Sequence, residues 1–304
     1  MVKLTVLTTT YNRANLLSKC WESLCKQTCK DFEWLIIDDG STDNTSTVVN
    51  SLKEKTSDFS IEYHWKENGG KHTALNFSHQ YIHGEYLIML DDDDILTSDA
   101  VETILFDWRK YGQNKKIGCI SYQKANINTG KVLVDWESKE PVISNAIDFR
   151  INSRRSGDCA ETIRTQMFKE FPAPIFDNEK FLPEDFLWVN SAFVYDTVYI
   201  QKKIYLCEYR EDGLTKTKHR RRFRDPQGGM YTCNLYFNKR FVFEVQVKKA
   251  ILYDAYAIEE GSLRNNLKNS KNKFLCYGAL PIAFLIALQL KKKKKIEVTL
   301  IDDK

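Results

Sequence analysis

Residues 87–90 read Leu-Ile-Met-Leu and run without a break into Asp91, Asp92, Asp93 and Asp94. A strand that is apolar at consecutive positions offers no face to water, so both of its faces must be covered. A parallel sheet with helices on each side meets that condition. Three earlier segments support the same architecture. Residues 3–9 are β-branched and apolar, a strand composition, and lead into Thr9, Thr10, Tyr11, Asn12 and Arg13. Residues 32–37 lead into Asp38, Asp39, Gly40, Ser41, Thr42 and Asp43. Residues 61–65 read as a third strand, after which Gly69 and Gly70 break the chain.

The intervening segments carry helical signals. Leu16, Leu17, Cys20, Trp21 and Leu24 recur at helical spacing within residues 15–28. Residues 41–46 supply several side chains able to cap a second helix. A third helix is expected from the glycine pair to about His83. This β-α-β-α-β-α-β order predicts an α/β fold with a doubly wound, mainly parallel sheet, whose ligands bind beyond the carboxyl ends of the strands. The polar clusters at residues 8–13, 38–43 and 91–94 all fall at that edge.

Four adjacent carboxylates repel one another unless something offsets their charge. In an extended segment Asp91 and Asp93 point one way, and Asp92 and Asp94 the other. A hard divalent cation, Mg²⁺ or Mn²⁺, prefers such oxygen ligands and lets the cluster stay ionised. The plainer reading is a solvated acidic turn with an aspartate capping the next helix. The chain has no GxGxxG after its first strand and no GxxxxGK[ST], so a glycine cradle for phosphates is not expected. A diphosphate here would need a metal and cationic side chains instead.

Beyond residue 98 the pattern is a helix at 99–111, a strand at 117–122 and a turn at 128–130. Short strands and helices then mix through 140–215, punctuated by Pro172, Pro174 and Pro183. This reads as a lobe appended to the first sheet, followed by an amphipathic helix at 241–257. A net charge of +4 over 304 residues is no nucleic-acid footprint. The eight cysteines are scattered; Cys20, Cys25 and Cys29 form no CxxC pattern, so reduced thiols in a cytoplasmic protein are expected and a zinc site is not. The amino terminus is too short and polar to read as a signal peptide. His64, His72, His79 and His83 show no ligand spacing with the acids and read as structural.

Taken together, Thr9-Thr-Tyr-Asn-Arg13, Asp38-Asp-Gly-Ser-Thr-Asp43 and Asp91-Asp-Asp-Asp94 resemble the motifs of family 2 glycosyltransferases of the GT-A fold. Pro183-Glu-Asp-Phe-Leu-Trp188 resembles the family's later Glu-Asp motif, and Tyr209-Arg-Glu-Asp-Gly-Leu-Thr215 the segment that often closes the catalytic domain, so the resemblance extends over about residues 1–230. It implies a nucleotide-diphosphate sugar donor, a divalent metal (Mn²⁺ or Mg²⁺) and inversion at the anomeric carbon. Under it, Thr9 and Tyr11 meet the base and ribose, Asp39 with Asp38 accepts from the base, and Arg13 or Lys71 offsets phosphate charge. Asp91 lies near the ribose and Asp93 is the main metal ligand, with Asp91 as a second. Asp92, which stands where the family has a small or variable residue, is a further nucleotide-sugar-binding candidate. Asp185 is the candidate general base that takes the acceptor hydroxyl's proton, and Glu184 its neighbour that holds the acceptor or tunes it. Both also suit the first turn of a helix. His219, beside Arg220, Arg221, Arg222 and Arg224, is a further candidate metal ligand within a lid or phosphate-binding loop.

The expected organisation is therefore a nucleotide-sugar half at 1–105, an acceptor and catalytic half at 106–230, a helical region at 231–273 and a tail at 274–304. The tail opens with 17 uncharged residues, 274–290, interrupted by Pro281, and continues into Lys291–Lys295. An apolar segment beside a polybasic run gives two signals for an anionic cytoplasmic leaflet. The expectation is a cytoplasmic hexosyltransferase-type enzyme, peripheral on or anchored to the inner face of the cell membrane through residues 274–295, lying in the interface or re-entrant, and acting on a glycan or lipid-linked acceptor in surface polysaccharide or glycolipid synthesis. Two other readings share these features: a sugar-nucleotide nucleotidyltransferase, and a non-catalytic sugar-nucleotide-binding scaffold.

Overall fold

The computed structural model describes residues 2–136, 138–155, 157–208 and 223–302. The chain divides into two compact units, one of residues 1–173 and 187–215, the other of residues 174–186 and 216–304. The first unit is an α/β layer structure. Its strands are β1 (Leu4–Thr10), β2 (Phe32–Asp38), β3 (Ser60–Trp65), β4 (Tyr86–Met89), β5 (Ile95–Leu96), β6 (Ile117–Asn126), β7 (Val142–Ser144), β8 (Cys159–Arg164) and β9 (Asp196–Cys207). Among the described residues they form one sheet in the order β3-β2-β1-β4-β8-β6-β9-β5, with β7 on β9.

The first four strands are mutually parallel, with Thr10 opposite Asp38 and Leu7 opposite Met89. They are linked by α1 (Ala14–Cys25), α2 (Thr45–Glu54) and α3 (Lys71–Ser78), as the periodicity requires. The chain winds outward through β1, β2 and β3, then returns to place β4 on the other side of β1. That reversal is a topological switch point, and the crevice it leaves at the strands' carboxyl ends is where ligands of such sheets bind. β8 joins β4 antiparallel, and β6 lies parallel to β9. The largest core cluster lies on one face of the sheet: Leu17, Cys20 and Leu24 of α1, Val6, Trp34 and Ile88, which pair in register on neighbouring strands, and Ile104 and Trp108 of α4 (Ala100–Tyr111). The remaining helices are α5 (Thr165–Glu170), in this unit, and α6 (Asp185–Ala192), whose first two residues fall in the second unit.

The second unit is helical: α7 (Pro226–Leu235), α8 (Phe243–Glu260), α9 (Leu263–Asn269) and α10 (Lys273–Asp302). The Glu179 carboxylate caps the start of α7, accepting from the backbone N–H groups of Gln227 (2.6 Å) and Gly228 (2.8 Å). Pro281 was expected to interrupt the apolar tail, yet α10 runs through it. A proline in a helix frees the carbonyl four residues earlier; here that residue is Tyr277, which like Pro281 is exposed, so water can satisfy it. Cys276, Ala279, Ala283 and Ala287 are buried in this unit, while Phe274, Tyr277, Leu285 and Leu288 face outward.

Candidate functional site

The carboxyl edge of the parallel strands gathers three loops, each fixed by its own sequence. After β1, Asn12 takes a left-handed conformation (φ 52°). Its side-chain carbonyl accepts from the N–H groups of Thr42 (2.8 Å) and Asp43 (3.3 Å). In return Asp43 accepts from the Ala14 N–H at 3.2 Å, at the start of α1. The loops after β1 and β2 are therefore interlocked. Tyr11, at the outer end of the first, is 48% exposed, and Thr9 is half-buried at the end of β1.

Asp38 and Asp39 face different partners. Asp38 accepts from the Ser41 N–H (2.7 Å) and the Tyr63 hydroxyl (2.6 Å). Asp39 organises the loop after β3: one oxygen accepts from Lys66 Nζ (2.7 Å) and Gly69 N–H (3.0 Å), the other from Gly70 N–H (2.7 Å) and the Asn68 amide (3.0 Å). A carboxylate has about four acceptor positions, and this loop fills them. Gly40 adopts φ +89°, and a Cβ there would come within 2.6 Å of the Asn68 backbone nitrogen. Only glycine lets the two loops approach so closely.

The acidic turn follows β4. The Leu90 N–H still donates to the Leu7 carbonyl at 2.9 Å, and the Asp94 N–H closes a turn onto the Asp91 carbonyl at 3.1 Å. Lys71, the first residue of α3, lies 2.8 Å from Asp91 Oδ1. Its charge holds the Asp91 carboxyl down at about 2, with Lys124 adding to the effect. Asp92 turns inward and is 3% exposed. It accepts from the Thr10 hydroxyl (2.8 Å) and Arg13 Nη1 (2.9 Å), and the same Arg13 nitrogen lies 3.3 Å from Asp93 Oδ2. Burial raises Asp92 to about 6 and Asp94 to about 7. The four carboxylates are thus not equivalent. Asp91 is the strongly ionised, half-exposed member and Asp93 the other with access to solvent, their side chains 43% and 18% exposed.

These donors fit a divalent cation. Asp91 and Asp93 offer hard carboxylate oxygens that reach solvent, and Lys71 and Arg13 place two positive charges beside them. A different cluster, Glu33, Glu62 and His83, brings three possible ligand atoms within 4.8 Å of one another. Glu33 is the second residue of β2, at the opposite end of the strand from Asp38, so this cluster is remote from the acidic turn. It serves a structural purpose: Glu33 accepts from the Thr5 hydroxyl (2.5 Å) and the His83 N–H (2.9 Å), fastening the chain ahead of β4. Cys20, Cys25 and Cys29 are free thiols, and none belongs to that cluster.

Asp185 opens α6 and, with Glu184, belongs to the second unit. There its Oδ2 accepts from the Tyr236 hydroxyl (2.8 Å) and Lys249 Nζ (2.9 Å), while Lys249 also stands 3.7 Å from the Tyr236 ring centroid. Neither partner carries a sequence signal, because α7 and α8 bring them from over fifty residues away. Lys66 was likewise missed, while Thr10 and Asn12 stood within the Thr9–Arg13 motif without an assigned role; the Gly69–Gly70 pair marked a break but not the Asp39 network it serves. His219, Arg220, Arg221 and Arg222 lie outside the described residues.

The family model for Glycosyl transferase family 2 matches residues 5–166. The chain belongs to this family. Within it, a Campylobacter jejuni GalNAc(5)-diNAcBac-PP-undecaprenol beta-1,3-glucosyltransferase is 30% identical over 231 residues, covering 71% of this chain and 68% of the relative. A Pasteurella multocida chondroitin synthase is 37% identical over 124 residues, 41% of this chain but only 12% of that much longer protein. Among solved structures, Staphylococcus aureus TarS 1–349 in complex with UDP-GlcNAc superposes with a TM-score of 0.62 at 18% identity, covering 95% of this chain and 81% of the other. The GT-A fold expected of a family 2 glycosyltransferase is thereby established.

Proposed function

We propose that this glycosyltransferase moves a sugar from a UDP-sugar to a hydroxyl of a glycan or lipid-linked acceptor, with inversion, in surface polysaccharide or glycolipid synthesis. The observation that carries the reading is the assembly of Lys71–Asp91 and Arg13–Asp92/Asp93 at the switch point between β1 and β4. Acids that can hold a cation and bases that can meet a diphosphate stand side by side there. The UDP-GlcNAc complex of TarS and the undecaprenol-linked acceptor in the name of the Campylobacter relative support the choice of donor and acceptor class.

In this reading Thr9 and Tyr11 flank base and ribose, and a uracil imide N–H replaces one of the loop donors at Asp39, with Asp38 bracing that loop. Asp91 and Asp93 would hold Mn²⁺ or Mg²⁺, which would supply positive charge toward the leaving diphosphate. Asp92 anchors the turn from within, held by Thr10 and Arg13; Lys71 turns to the phosphates, Arg13 offsets their charge from its place between Asp92 and Asp93, and His219 is a further candidate ligand. The acceptor oxygen forms its bond to the anomeric carbon as the bond to the diphosphate breaks on the opposite face. The bonding electrons leave with UDP, and the hydroxyl proton passes to Asp185, with Glu184 orienting the acceptor.

The tail reading also remains a proposal. No helix among the described residues is long and apolar enough to cross a membrane. The outward residues Phe274, Tyr277, Leu285 and Leu288 of α10, followed by Lys291–Lys295, suit an interfacial helix on an anionic cytoplasmic leaflet.

The test is a thermal-shift screen of nucleotide sugars with Mn²⁺, followed by mass spectrometry of lipid-linked and oligosaccharide acceptors. Stabilisation by a UDP-sugar and a mass gain of one sugar are expected. Indifference to every nucleotide sugar, with no transfer, would remove the proposal.

A further inference from the structure

The acidic turn is held from a strand more than a hundred residues further along the chain. Tyr205 of β9 is fully buried, and its hydroxyl oxygen accepts the Asp91 backbone N–H at 3.0 Å. On the far side of the turn, β5 pairs antiparallel with the same strand, Leu96 opposite Tyr205 and Ile95 opposite Leu206. β9 thus grips the chain both before and after Asp92 and Asp93.

Lys124 completes the arrangement. It stands opposite Tyr205 in the β6–β9 pairing, where the register slips between Ser121 and Gln123 and again between Gln123 and Lys124. Bulges of this kind re-aim side chains and recur beside active sites. The Lys124 ammonium lies 4.1 Å from the centroid of the Tyr205 ring, within cation–π range. Burial works against its charge, but the negative charges of Asp91, Glu161, Asp94 and Asp158 raise its pKa above the ordinary lysine value. One lysine on a tyrosine ring therefore supplies a fixed counter-charge on the sheet side of the turn, while Lys71 contacts Asp91 from α3.

We propose that Lys124 and Tyr205 are positioning residues of the donor site: together they set the placement of Asp91 and Asp93 toward a metal-bound nucleoside diphosphate. The inference rests on the function proposed above. It assigns neither residue a contact with substrate.

The test compares Tyr205→Phe, Lys124→Met and Lys124→Arg with wild type and with Asp93→Asn. UDP affinity is measured by calorimetry with and without Mn²⁺, alongside the melting temperature. Tyr205→Phe keeps the ring in the core and removes only the hydroxyl. It and Lys124→Met are expected to weaken Mn²⁺-dependent UDP binding about tenfold, the scale of losing one hydrogen bond or one fixed charge beside the turn. Lys124→Arg retains the cation over the ring and should stay within about threefold of wild type. A structural role alone would lower the melting temperature without this selective loss and rescue. If both Tyr205→Phe and Lys124→Met bind UDP–Mn²⁺ like wild type while Asp93→Asn does not, the positioning role is wrong and the donor-site reading stands. If Asp93→Asn also binds like wild type, the donor-site reading itself fails. Should Lys124→Met not fold, Tyr205→Phe decides alone.

Discussion

Arg13 and Asp92 join the two loops that flank the switch point, with Arg13 Nη1 2.9 Å from an Asp92 oxygen whose side chain is almost wholly buried. The pair links the end of β1 to the end of β4, and through Asp93 it ties the same arginine to the exposed side of the acidic turn.

Removing the arginine should therefore cost more than a surface charge would. Arg13→Met is expected to destabilise the fold by about 2 kcal/mol, the scale for hydrogen bonds to a charged group, because it leaves Asp92 buried with only Thr10 as a neutral donor. Adding Asp92→Asn should recover part of that loss, since an amide needs no cation yet still accepts the Thr10 hydrogen. Chemical denaturation of the two single variants and the double variant measures the coupling.

His83 gives a pH dependence with a definite sign. Its hydrogen bond to Glu33 raises its pKa above the ordinary histidine value of 6.5. The folded state then binds the proton more tightly than the unfolded chain, so the contribution is complete below about pH 6.5 and is lost as pH rises through the elevated folded value. His83→Gln should lower the melting temperature most in mildly acidic buffer, with the two curves converging in alkaline buffer. His79, whose pKa burial lowers, is present in both proteins and cancels from the difference. A gap between the curves that widens with pH would contradict this assignment.

The first half of the fold was legible because its signals are local. An apolar run such as Leu87–Leu90 requires cover on both faces, and helical periodicity between such runs orders the strands. The motifs at Arg13, Asp39 and Asp91 were legible for the same reason: each directly follows its strand. The division of labour inside the acidic turn was not. Alternation separates Asp91 and Asp93 from Asp92 and Asp94, but four identical residues do not say which pair turns inward; the side-chain contacts place Asp92 against Thr10 and Arg13 and Asp91 against Lys71. Tyr205, Lys124, Tyr236 and Lys249 were illegible because strand and helix pairings over long separations bring them in. Pro281 misled because a proline inside an exposed helix surface leaves its freed carbonyl to water.

For catalysis, Asp185→Asn should leave UDP-sugar binding intact and lower kcat by about 10²–10⁴-fold, the range for loss of a general base. Asparagine can still accept from Tyr236 and Lys249, so the melting temperature should change little. Steady-state kinetics beside donor calorimetry separates the two effects; undiminished kcat would take the base assignment away from Asp185.

The α10 surface makes an independent prediction. The double variant Phe274→Ser/Leu285→Ser, at two outward positions, should reduce co-sedimentation with vesicles containing anionic lipid, and raised salt should weaken wild-type binding. Equal recovery of wild type and variant with anionic vesicles, or no wild-type binding at all, would rule out membrane association through this helix.

The central claim is that the acidic turn after β4 binds a nucleoside diphosphate through a divalent cation. Calorimetry of UDP with wild type and Asp93→Asn, each with and without Mn²⁺, tests it most directly. The account predicts that Mn²⁺ tightens UDP binding to wild type at least tenfold, about 1.4 kcal/mol, and that Asp93→Asn abolishes most of that gain while still folding. Equal UDP affinity in the presence and absence of Mn²⁺ for the wild-type protein would contradict it.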